Sequence, residues 1–199
     1  MIRALSAALA ATAVVAVTGF ASAHERDADR RLILDIEADA ATALVSWTLP
    51  AGAGAEQLRS IADANGDGRV HAPTERLAQA MLVVPRMLDG IEVRVDGVLV
   101  ALELEDLHIR DGALDGHRRG LEAMALVRIS MGDALDDGAA TLEVGMTSGD
   151  GHLRVEAQAH PPAVLDGGSM PSPGGPVRGP AVLHVGASTS IEVRRDTAP

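Results

Sequence analysis

From Arg31 onward, apolar residues fall on every second position. Leu32, Leu34 and Ile36 form one run, and Ala43, Val45, Trp47 and Leu49 a second, with a short polar link between them. A side-chain period of two belongs to a strand with one buried face, so the spacing predicts two adjacent strands. The period then lengthens. Leu58 and Ile61 within 55–62, and Leu77, Met81, Leu82 and Leu88 within 74–88, recur at helical spacing. Pro73 sits just inside the second helix, where its missing N–H costs nothing. Pro85 is expected to kink or end that helix.

Strand patterning returns after Gly90. In IEVRVDGVLVALELE, a two-residue turn at Asp96-Gly97 sets Val95 opposite Val98, Val93 opposite Val100 and Ile91 opposite Leu102, which makes one face apolar. The same test at 148–151 sets Met146 opposite Leu153, Val144 opposite Val155 and Leu142 opposite Ala157. Val127, Ile129 and Met131 supply another alternating run. Segment 161–180 is so rich in Pro and Gly that it reads as a long loop or linker, and 181–199 as short terminal strands and a tail. The expected architecture is mainly β: one antiparallel, Ig-like β-sandwich over 24–160. An EF-hand-like helix-loop-helix at 55–88 is inserted between the second and third strands. No internal repeat is evident.

The N-terminus changes the picture of where this fold works. Residues 1–23 carry one basic residue, Arg3, then a long Ala/Val/Leu run, then Ala21-Ser22-Ala23, an A-x-A cleavage signal. This pattern predicts a secretory signal peptide cut near Ala23, with His24 as the first mature residue and a periplasmic or secreted product. No later stretch approaches the ~20 apolar residues of a spanning helix, so no membrane span is expected in the mature chain.

Composition then narrows the chemistry. Cysteine is absent, which removes disulfides, zinc–thiolate sites and thiol catalysis. The formal charge of −11 makes nucleic acid an improbable partner. All 17 basic residues are arginine, a bias we attribute to a GC-rich bacterial genome. Trp47 is the one aromatic residue left after the leader, so the core must be aliphatic and stacking platforms for bases or sugars are missing. No G-x-S-x-G, H-E-x-x-H or Walker loop appears, and a non-enzymatic protein is expected.

Candidate chemistry concentrates in 63–75, DANGDGRVHAPTE. Counting from Asp63, oxygen-bearing side chains fall at positions one, three and five (Asp63, Asn65, Asp67), with Gly68 at six for a sharp turn. Arg69 at seven would offer its backbone carbonyl, and Val70 at eight is apolar. Alternating side chains curling round a turn deliver the six to eight oxygens that a hard cation requires. The second half departs from this pattern. Position nine is His71 and position twelve is Thr74, with Glu75 one residue late, an offset of about 100° on a helix. Asp-Gly doublets recur along the chain, so three outcomes stay open: a bound divalent cation, a metal-free turn, or coincidence.

DxNxDG followed by an apolar residue, between two helices, resembles the EF-hand family. Dockerins share DxNGDG but use two copies, and one stands here. The resemblance implies one Ca²⁺ of modest affinity held by Asp63, Asn65, Asp67, the Arg69 carbonyl and Glu75, with Thr74 and His71 as second choices. Ala23-His24, the loop, and the hairpin turn Val95-Asp96-Gly97 also resemble, in that order, the N-terminal periplasmic domain of HupE/UreJ-type metal-permease proteins. That likeness implies supply of a metal to a membrane or periplasmic protein partner.

Two further ligand sets compete. A mature His24 would present an amine and an imidazole able to clamp copper or nickel, as a metal carrier does. The other histidines (71, 108, 117, 152, 160 and 184) show no short metal-ligand spacing. Asp111, Asp115 and His117 are expected in a solvated turn. Glu103, Glu105 and Asp106, like His152 and His160, are expected on outer strand faces, and Trp47 in the core. A metal-free interaction domain is the third reading.

Overall fold

The computed structural model describes residues 28–37, 40–132, 138–149, 151–160, 162–165, 171–172 and 175–195. The expected signal peptide and His24 lie outside the described residues. The chain is mainly β. In order it forms β1 (Asp29–Ile36), β2 (Ala40–Leu49), α1 (Ala53–Ala62), α2 (Pro73–Leu88), β3 (Ile91–Val95), β4 (Val98–Val100), β5 (Leu102–Asp115) and β6 (Arg118–Ser130). Then follow β7 (Ala139–Met146), β8 (His152–Ala159), β9 (Ala163–Leu165), β10 (Pro171–Ser172), β11 (Gly175–Leu183) and β12 (Ala187–Arg195).

The strands build two sheets, ordered β10-β11-β8-β1-β2-β6-β5 and β4-β3-β7-β12-β9. Pairing is antiparallel except between β1 and β8, which run parallel. The period-two runs predicted at the start of the chain are β1 and β2, paired with Leu32 opposite Val45 and Leu34 opposite Ala43. Leu32, Leu34, Ile36, Ala43 and Val45 are buried, and Trp47 is core as expected. A single apolar cluster joins residues of both sheets and both helices, and Trp47 is its one aromatic member.

The first hairpin forms at Asp96-Gly97, with Val95 opposite Val98 and Val93 opposite Val100. The expected third pair does not form. β4 ends at Val100, and Leu102 opens β5 in the other sheet, opposite Ile129. The second expected hairpin is not one. β7 pairs with β3 and β12, whereas β8 pairs with β1 and β11, so the two strands belong to different sheets. Alternation states which face of a strand is buried, not which sheet it joins. Both strands still bury the expected faces, Leu142, Val144 and Met146 on one and Leu153, Val155 and Ala157 on the other.

Gly90, with φ 68°, ends the helical segment, and a Cβ there would collide with the Ser148 backbone. Only glycine meets both demands.

Three other expectations are corrected. Part of 161–180 is strand: β9 pairs with β12, and β11 pairs with β8. Asp111 and Asp115 lie in β5, not in a solvated turn, because β5 and β6 form a long hairpin with Asp115 opposite Arg118. Pro85 does not end α2, which continues to Leu88.

The buried stripe of α2 is Glu75, Gln79, Val83 and Met87. Leu77 and Met81, expected on that face, are 63% and 70% exposed. Two residues of offset are about 200° of rotation, the opposite side of the helix. Leu82 and Leu88 are half-buried against the core, as the spacing suggested. In α1, Ala55, Leu58 and Ala62 are buried and Ile61 is exposed. α1 packs on α2 and β6, and α2 packs on β2.

Candidate functional site

The segment 63–75 bridges the two helices, and its side chains shape its backbone. Asp63 caps α1 at the C-terminal end, its N–H donating to the Arg59 carbonyl at 2.8 Å. Its carboxylate then gathers the turn. Asp63 Oδ1 accepts the N–H groups of Gly66 at 2.9 Å and Asp67 at 3.2 Å, and Oδ2 accepts that of Gly68 at 2.7 Å. Asn65 Oδ1 accepts the Asp67 N–H at 2.8 Å, and Asp67 Oδ1 accepts the Arg69 N–H at 2.9 Å.

Short acidic and amide side chains form such local bonds readily. Gly66 and Gly68 supply the left-handed conformations between them, with φ 73° and 79°. The expected glycine at the sixth position is therefore a backbone requirement.

The late acid, Glu75, turns back. Ala72 is the N-cap of α2, so Pro73, Thr74 and Glu75 are its first three residues. Glu75 Oε2 accepts the N–H groups of Ala72 at 3.0 Å and His71 at 3.2 Å. The third helical position is where a carboxylate reaches the cap, so Pro73 need not distort the helix to bring Glu75 inward. Its side chain is 2% exposed. Backbone N–H groups, that of Ala72 foremost, hold the Glu75 carboxyl below its usual range. Burial opposes them, and the His71 and Asn65 N–H groups and the His71 charge assist.

Of the predicted ligands, Asp63, Asn65 and Asp67 are therefore joined by one turn, and Glu75 closes the segment from its far end. Arg69 and Thr74 are exposed. His71 is half-exposed, its Nδ1 3.8 Å from Asp67 Oδ2 and 4.0 Å from Glu75 Oε2. Among the described residues no arginine lies within ion-pair distance of Asp63, Asp67 or Glu75. Nor does any group of three or more His, Cys, Asp or Glu side chains stand together to hold a metal ion. A cation in the loop must therefore draw on the Asn65 amide, the Arg69 carbonyl or water.

The lone pairs limit what each residue offers. Oε2 of Glu75 accepts two hydrogen bonds and Oδ1 of Asp63 accepts two, which fills both atoms. What remains is oxygen-only: one atom from each of Asp63, Asn65, Asp67 and Glu75, plus the Arg69 carbonyl. That donor set suits a hard cation completed by water.

His152 lies on the outer face of β8 as expected and His160 directly follows that strand, each facing one carboxylate: Asp29 at 3.3 Å and Asp35 at 2.7 Å. Glu105 is likewise an outer-face residue, paired with Arg128 at 2.6 Å. Sequence spacing did not reveal a cluster of arginines from α1, the loop and the β5–β6 hairpin. Its members lie up to about sixty positions apart, and the doublet Arg118-Arg119 was the only local signal.

Compared with known proteins, the chain matches no family model, no curated protein and no solved structure. Among the described residues no helix is long and apolar enough to cross a membrane.

Proposed function

We propose that this chain is an exported, non-enzymatic protein that binds one calcium ion in the loop between α1 and α2. The loop belongs to an EF-hand-like helix-loop-helix carried on an Ig-like β-sandwich. Glu75 carries the reading: a carboxylate held below its usual pKa at 2% exposure, in a segment with two more carboxylates and, among the described residues, no arginine partner. The His71 and Ala72 N–H groups offset part of the cost of burying this charge, and a cation in the loop would offset more of it.

Asp63, Asn65, Asp67 and Glu75 would each supply one oxygen once an ion draws the three carboxylates together, the Arg69 carbonyl a fifth, and water the rest. A glutamate contributing one oxygen in place of two makes the site weak, in the ~0.1–1 mM range of extracellular modules. At ~1 mM calcium and a dissociation constant of ~0.1 mM, the ion stabilises the fold by about 1.4 kcal/mol. That is the contribution of a structural ion, not of a sharp switch.

Thermal denaturation with millimolar calcium and after metal removal tests the proposal. The midpoint should rise by about 3–6 °C with calcium. A midpoint indifferent to calcium, together with no calorimetric heat, sinks it.

A further inference from the structure

Between α1, the loop that follows it and the tip of the β5–β6 hairpin lies an open groove of about 660 Å³. Five guanidinium groups line it: Arg59 from α1, Arg69 from the loop, Arg110 from β5, and Arg118 and Arg119 from β6. Only two carboxylates, Glu56 and Asp111, share that lining. In a chain with 28 acidic residues against 17 arginines, the groove inverts the sign of the molecule.

Internal pairing does not cancel this charge. Arg59 and Arg119 both lean on Asp111, at 2.9 and 3.3 Å, so one carboxylate serves two guanidiniums. Arg118 is 3.4 Å from Glu56, in a pair open to solvent on both sides. Arg110 turns to Glu122 at 2.6 Å. Arg69 is exposed and has no ion pair among the described residues.

One wall is also fixed in place. Arg59 donates to the Arg119 carbonyl at 2.8 Å and to the Gly120 carbonyl, which ties α1 to the hairpin near its tip. A ligand arriving here meets a wall already in place, which lowers the ordering cost of binding.

We infer that this groove binds a small ligand carrying two or more carboxylate or phosphate groups. The planar guanidinium fork matches either group with two parallel hydrogen bonds. The arginines arise from separate elements, so spaced anionic groups on one molecule engage more of them than a single ion does. The volume is that of a small-molecule site. A long polyanion is disfavoured by the negative charge of the rest of the chain and by the lack of stacking aromatics. None of the side chains of Asp63, Asn65, Asp67 or Glu75 is needed, so the inference stands apart from the calcium reading.

The test is calorimetric titration of the full chain with pyrophosphate, and separately with tricarballylate, in low-salt buffer. Metal is removed beforehand on a chelating resin, because soluble chelators are themselves polycarboxylates. The expected result is saturable one-site binding that added salt weakens. Arg69→Gln and Arg118→Gln should each weaken it roughly tenfold, and Arg118→Lys by less. Both positions are exposed, so the melting midpoints of the variants should stay close to that of the parent chain.

Binding of pyrophosphate alone assigns the groove to phosphate groups, and binding of tricarballylate alone to carboxylates. Absence of saturable heat with both ligands overturns the inference, as does binding that neither Arg69→Gln nor Arg118→Gln weakens.

Discussion

The carboxylate of Glu75 accepts the backbone N–H of Ala72 at 3.0 Å, so the acid that arrives one residue late in the loop motif is the cap of the helix it begins. The same bond makes stability depend on pH. Backbone N–H donors, Ala72 first, depress the folded-state pKa of Glu75 below its ordinary value of 4.5. The resulting stabilisation is complete above that ordinary value and is lost as pH falls through the folded one. Glu75→Gln should therefore melt below the parent chain at neutral pH. The gap should close as acid is added below about pH 4.5. Melting curves of both proteins across an acid series measure it, and a gap of constant size would refute the assignment.

The buried stripe of α2 gives a prediction that separates two faces of one helix. Val83 and Met87 are fully buried, whereas Leu77 and Met81 are largely exposed. Met87→Ala should cost about 2–5 kcal/mol by leaving a cavity in the shared core. Met81→Gln should stay within about 0.5 kcal/mol of the parent. Denaturant titrations decide it, and similar losses at both positions would reverse the orientation of the helix.

That orientation shows where sequence patterning succeeds and where it stops. Leu77 and Met81 look like core residues because they are large and apolar at helical spacing. Yet the stripe that packs is begun by Glu75 and Gln79, and Glu75 is held there by N–H groups of the loop rather than by hydropathy. The Val95–Val98 pairing was legible because a two-residue turn fixes the register locally. The pairing of Leu142 with Ala157 failed because two strands with the same buried face can sit in different sheets. The turn of 63–68 was legible for a related reason: Asp63, Asn65 and Asp67 accept N–H groups a few positions away. The arginine groove was not legible, since Arg59 and Asp111 meet only when α1 docks on the long hairpin.

Arg59 is the clamp of that docking. It is about one-fifth exposed, lies 2.9 Å from Asp111 and donates to the carbonyls of Arg119 and Gly120. A lysine keeps the charge but cannot reach three acceptors in one plane. Arg59→Lys should therefore destabilise the protein by about 1–2 kcal/mol, and Arg59→Ala by more. Urea unfolding reads the order, and a lysine variant as stable as the parent would remove the geometric argument.

Asp63 serves two purposes that different substitutions separate. Its carboxylate accepts N–H groups from Gly66, Asp67 and Gly68, so it shapes the turn whether or not an ion is bound. Asp63→Ala deletes every acceptor and should cost about 1–2 kcal/mol even in metal-free buffer. Asp63→Asn keeps one carbonyl oxygen and the volume of the side chain, and should cost less. Both variants lose the anionic oxygen a calcium ion would need, so both should lose the calcium-dependent rise in melting midpoint. Paired melting curves with and without calcium distinguish the roles. A calcium response that survives in Asp63→Asn would place the ion elsewhere, while equal metal-free stability of the alanine variant would show that the turn is held by Asn65 and Asp67 instead.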